Sequence, residues 1–70
     1  MKHLYLLFGP FQDCKTYAEG EGWKESEWKH VWRESDYFGC KNVELIPANI
    51  NCDLYRQLYQ AAQEYFNLHE

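Results

Sequence analysis

The run from Lys2 to Phe8, KHLYLLF, is almost continuously apolar and is stopped at once by Gly9-Pro10. A strand with one wet face alternates apolar and polar residues, so an unbroken run of this kind describes a strand buried on both faces. Such a strand needs a layer above and below it, which points to an α/β fold with helices covering the sheet.

The next segment can supply one of those layers. From Pro10 or Phe11 to about Glu19, the residues Phe11, Cys14, Tyr17 and Ala18 fall on one helical face. Pro10 suits the first turn of a helix, and Asp13 sits near the positive end of the helix dipole. Gly20-Glu21-Gly22 ends this first helix, because glycine takes the left-handed cap conformation without strain.

The stretch Glu27 to Glu34, EWKHVWRE, alternates Trp28, His30 and Trp32 with Lys29, Val31 and Arg33, as an edge strand with one wet face does. The four-residue spacing of Trp28 and Trp32 also fits a helix, and a helix here would overturn the architecture. Ser35 to Asn42 is a turn region punctuated by Gly39, and Val43 to Pro47 is a short third strand ended by proline. The link between the second and third strands is too short for a full crossover helix. It allows either a hairpin or a parallel neighbour reached by one helical turn.

The chain closes on a long amphipathic helix, Cys52 to Leu68, capped by Asn51 or Asp53. Leu54, Leu58, Ala61, Tyr65 and Leu68 form one apolar row, and Tyr55, Tyr59, Ala62 and Phe66 form a second row beside it. Two rows are two surfaces to cover. The first is expected to hold the helix to the sheet, and the second to meet another layer, a partner or water. The predicted order is β-α-β-β-α, a small three-stranded sheet with two helices in a single domain of seventy residues.

A domain this small buries only about 60% of its unfolded surface, so its core must be supplemented. Six Tyr, four Phe and three Trp are the visible supplement. The net charge of −4 argues against direct nucleic-acid binding, which needs clustered Lys and Arg. No segment is apolar for long enough to be a secretory signal or to span a bilayer, so the chain reads as cytoplasmic and not membrane-bound.

The positions Tyr17-Ala18, Gly22-Trp23, Glu27-Trp28, Val31, Phe38-Gly39 and Val43 to Ile46 carry a resemblance. Over the first two thirds of its length the chain resembles short proteins of phages and prophages, which are similar to a truncated Rossmann-like, nucleotide-triphosphatase-like half-domain. The resemblance implies a phosphate loop after the first strand. This chain has Gly9-Pro10-Phe11 there instead, and neither G-x-x-x-x-G-K-[ST] nor G-x-G-x-x-G occurs.

Other chemistry is thin. Cys14, Cys40 and Cys52 with His3 or His30 lack the paired spacing of a zinc site, and small buried hydrophobes are the better reading of the thiols. Cys14 and Cys52 each lie near a helix start, which can lower a thiol pKa, but no third group marks a nucleophile constellation. Trp28, His30 and Trp32 would make a stacking platform if exposed, and otherwise a core wall. Glu19, Glu21, Glu25, Glu27, Glu34 and Asp36 could mimic a nucleic-acid backbone toward a basic nucleic-acid-binding enzyme, or simply solubilise an aromatic-rich surface.

These observations favour a non-enzymatic binding protein without cofactor or metal, of phage or mobile-element origin, that occupies and modulates a host protein. Its contact residues are expected to be Tyr55, Tyr59, Phe66 and Gln63 on the final helix, with Glu25 and Glu27. The competing classes are a small-molecule or nucleotide binder using the crevice at the strand ends, and a homodimer through the final helix.

Overall fold

A computed structural model describes residues 4–68, with side chains through residue 67. His3, the first residues of the expected strand and the Leu68 side chain lie outside the described residues. The elements are β1 (Leu4–Phe8), α1 (Phe11–Glu21), β2 (Trp28–Val31), β3 (Val43–Ile46) and α2 (Asp53–Leu68), with one-turn 3-10 helices at Glu25–Glu27 and Glu34–Asp36. The predicted β-α-β-β-α order is the observed one, and residues Trp28 to Val31 are strand rather than helix.

The sheet has the order β2-β1-β3, and both pairings are parallel. Tyr5 lies opposite Trp28 and Phe8 opposite Val31 on one side, while Leu4 lies opposite Val43 and Leu7 opposite Ile46 on the other. The link between β2 and β3 is therefore no hairpin. It crosses β1 and returns parallel, using the single 3-10 turn at Glu34–Asp36 in place of a crossover helix.

β1 is central, which explains its unbroken apolar sequence: Leu6, Leu7 and Phe8 are fully buried. Its alternate residues feed two separate cores. Leu6 and Phe8 join Val31, Tyr37, Leu58 and Ala62 beneath α2. Leu7 joins Cys14 and Ala18 beneath α1, with Tyr5, Trp23, Trp28 and Ile46 packed around them. Helix α1 runs through Gly20 to Glu21, two residues past the expected Glu19, and is ended by Gly22, in the left-handed conformation at φ 75°, with its N–H, like that of Trp23, turned back onto the last turn.

This packing corrects two expectations. Alternation places Val31 on a wet face, but it is completely buried in the core beneath α2, while Lys29 on the same face is exposed. Trp32, expected beside Trp28 and His30, lies past the end of β2 and is 49% exposed, with the Arg33 guanidinium 4.6 Å from its ring centre.

The two-row reading of α2 is also corrected. Leu54, expected to hold the helix down, is 59% exposed, whereas Tyr59 and Phe66, expected in the outer row, pack against the core. The Tyr59 ring meets Phe8 edge-on at 5.2 Å, and Phe66 lies 5.9 Å from Tyr37. The buried stripe runs between the two rows, along Leu58 and Ala62. What consumes the extra width is the crossing segment between β2 and β3. Tyr37 from that segment is buried among Phe38, Tyr65 and Phe66, and the Gly39 N–H donates to the Tyr65 hydroxyl at 3.2 Å.

Candidate functional site

The contact residues expected from sequence do not form one surface. Tyr55 is half-buried, Tyr59 and Phe66 are spent largely on the core, and Gln63 is exposed beside Glu64 and Asn67 on a polar helix face. Glu25 and Glu27 lie in the 3-10 turn before β2, a separate region of the fold. The half-buried Glu27 accepts a hydrogen bond from the Lys24 N–H at 2.9 Å, capping its own turn. Glu25 is exposed and lines a groove.

That groove lies between the start of α1 and the outer side of β2. Its floor is Phe11, 55% exposed, and the half-buried Trp28, with ring centres 6.2 Å apart. His30 closes one end, 5.5 Å from Phe11 and edge-on to it. The His30 Nε2–H donates to the Gly9 carbonyl at 2.7 Å, which ties the end of β1 to β2 and fixes the ring. Lys15, Glu19, Lys24 and Glu25 form a rim of mixed charge. Trp28 and His30 do share one strand face, as expected, but Trp32 does not join them, so there is no three-ring platform. Among the described residues, β2 pairs with a strand on one side only, and its outer edge is bordered by this aromatic groove.

At the end of β1, the position of a phosphate loop in larger α/β proteins is filled by the chain itself. Gly9 has φ 144°, and a Cβ there would stand 2.7 Å from the Asn49 carbonyl oxygen. The Asn49 N–H donates to the Phe8 carbonyl at 3.0 Å, and its side-chain amide donates to Asp13 at 2.6 Å. The glycine is thus required by the close approach of the β3–α2 segment rather than by an anion. This segment and α1 frame an open cleft of about 470 Å³ lined by Asp13, Thr16, Tyr17 and residues 47–51.

The thiols have clear and different surroundings. Cys14 is buried and donates to the Leu7 carbonyl at 3.4 Å, with the Gly9 carbonyl at 3.6 Å. Burial, reinforced by the neighbouring Asp13 charge, pushes its pKa up to about 12. The low thiol pKa suggested by its place near a helix start is therefore reversed, because desolvation of the thiolate outweighs the dipole. Only Cys14 is the buried hydrophobe expected of all three thiols: Cys40 is half-buried and Cys52, just before the first turn of α2, is exposed. Among the described residues no group of three His, Cys, Asp or Glu side chains is placed to hold a metal.

The acidic surface is smaller than its sequence suggests. Glu27 is committed to its cap, and Asp36 is buried, accepting from the Trp32 N–H at 3.1 Å and from Arg33 at 3.4 Å. Burial alone would raise the Asp36 pKa. The Trp32 N–H, the Arg33 guanidinium and the charge of Lys29 together outweigh that and hold it below the ordinary value of 3.8.

Comparison with known proteins returned no match, whether to a family model, a curated protein or a solved structure. The groove of Phe11 and Trp28 is legible only in part from the sequence. Glu25, Trp28 and His30 stand out there, but periodicity assigns Phe11 to the inner face of α1, since a helix's first residue shares its period while lying beyond the sheet that would cover it.

Proposed function

We propose that the protein is a non-enzymatic binding module that takes up an extended segment of a larger partner protein along the outer edge of β2. The observation that carries this reading is the coincidence of a strand edge paired on one side only, among the described residues, with an exposed aromatic groove beside it. An added strand gains main-chain hydrogen bonds from the edge and specificity from pockets that take alternate side chains. β2 is only four residues long, so it offers few main-chain bonds, and Phe11 and Trp28 must supply the remaining affinity as apolar anchors. Lys15, Glu19, Lys24 and Glu25 at the rim favour a segment carrying both signs of charge over a nucleic-acid strand. The resemblance to phage-type proteins supports a partner from the host cell, bound and thereby modulated in its cytoplasm, and the reading calls for no cofactor.

This moves the contact surface from α2 to the opposite side of the sheet. Affinity capture from host lysate with the wild type, Phe11→Asp and Gln63→Arg, read by mass spectrometry, tests it. Phe11→Asp should lose the partner and Gln63→Arg should keep it, with both variants melting like the wild type. Retention by Phe11→Asp together with loss by Gln63→Arg would return the interface to α2. Light scattering on the purified chain separates self-association from binding of another protein.

A further inference from the structure

We infer that the cleft between α1 and the β3–α2 segment is a binding site for a small organic cation, an ammonium group on a short apolar stem. Its position follows from the topology. β1 is followed by α1 on one face of the sheet and β3 by α2 on the other, so the two connections diverge at the carboxyl ends of neighbouring parallel strands. In an open parallel sheet that divergence leaves a crevice, and here, with Asn49 packed over Gly9, what remains of it is the cleft lined by Asp13, Thr16, Tyr17 and residues 47–51. The crevice here has a volume of about 470 Å³, within the range of about 300 to 1,000 Å³ typical of small-ligand pockets.

The chemistry of the lining selects the ligand. Asp13 supplies the only formal charge, and no Lys, Arg or His lines the cleft, so an anion would meet a carboxylate with no cation to offset it. The carboxylate is held in place rather than mobile. Its Oδ2 accepts from the Asn49 amide at 2.6 Å, the Asn49 Oδ1 accepts from the Asn51 N–H at 3.2 Å, and the Asn49 backbone is bonded to the end of β1. The other oxygen of Asp13, Oδ1, would take the ammonium donor. Tyr17, 38% exposed, lines the same cleft, and Pro47 and Ile50 offer apolar walls to a short stem. The cleft shares no lining residue with the groove of Phe11 and Trp28, so the two sites can be tested apart.

The test is a titration of 15N-labelled protein with n-butylammonium chloride at constant ionic strength, with ribose and adenosine monophosphate run in parallel. The expected result is saturable shifts at the amides of Thr16, Tyr17, Asn49 and Asn51. Asp13→Asn, which keeps an acceptor for Asn49, should weaken binding at least tenfold. Thr16→Lys, at an exposed position, should abolish it by placing a fixed ammonium in the cleft, with an otherwise unchanged spectrum. Shifts spread over the acidic surface, equal affinity in Asp13→Asn, or tighter binding of ribose or the nucleotide at these amides would each overturn the inference.

Discussion

The two faces of the sheet solve the same packing problem in opposite ways. Under α2, large rings from three separate segments close on one another: Phe8 from β1, Tyr37 from the crossing segment, and Tyr59, Tyr65 and Phe66 from the helix. Under α1, the buried helix residues are the small Cys14 and Ala18, and the rings lie at the margin, with Tyr5 stacked on Trp23 at 3.9 Å and Phe11 outside Trp28. The first face is the more closed, although Phe38 at its margin stays 54% exposed, and the second carries Phe11 and Tyr17 at its surface. The lesson is that aromatic content alone does not say which rings are core.

The largest test of this contrast is truncation of one ring on each side. Phe8→Ala empties the centre of the closed face and should cost about 3 to 5 kcal/mol, enough to unfold much of a domain this small. Phe11→Ser, at the open face, should change stability by no more than about 0.5 kcal/mol. Urea unfolding followed by tryptophan fluorescence measures both, and equal losses would erase the distinction between the faces.

Within α2 the contrast is between Leu58, 7% exposed, and Leu54, 59% exposed. Leu58→Ala should cost about 2 to 5 kcal/mol and Leu54→Ala no more than about 0.5 kcal/mol, although both lie in one apolar row. Equal losses from the two substitutions in thermal melts would restore the row assignment expected from periodicity.

Asp36 tests how far the closed face depends on the crossing segment. Its carboxyl pKa is lower in the folded state than in the unfolded chain, so its ionisation contributes stability that is fully present above the ordinary value of 3.8. That contribution is lost as the pH falls from there through the lower folded value. Asp36→Asn should be less stable than the wild type at pH 7, and the difference should shrink toward pH 2. A difference that does not vary with pH would assign the residue a purely steric role.

The smallest effect on stability, and the cleanest on chemistry, concerns the thiols. Iodoacetamide at pH 8 should modify the exposed Cys52 readily and leave Cys14 unmodified until the protein unfolds, since Cys14 is buried and its pKa lies near 12. Mass spectrometry of the peptides reads this directly, and early labelling of Cys14 would mean that the α1 face opens.

Local pattern carries much of the fold. The unbroken apolar run of β1, Gly22 after α1, the alternation around Trp28 and the length of α2 all name their elements, because strand and helix periods and glycine's left-handed cap are properties of a few neighbouring residues. What periodicity cannot settle is rotation and neighbourhood. Tyr55, Tyr59 and Phe66 are one residue on from Leu54, Leu58 and Tyr65, and which members of each row are buried depends on where Tyr37 arrives from another part of the chain. Gly9 reads as a plain turn until the approach of Asn49 gives it a reason, whereas Cys14 reads as a small buried hydrophobe and is one, with its thiol against the carbonyls of Leu7 and Gly9. The groove and the cleft likewise exist only because parallel pairing in the order β2-β1-β3 brings distant segments together, a long-range choice that residue spacing does not encode.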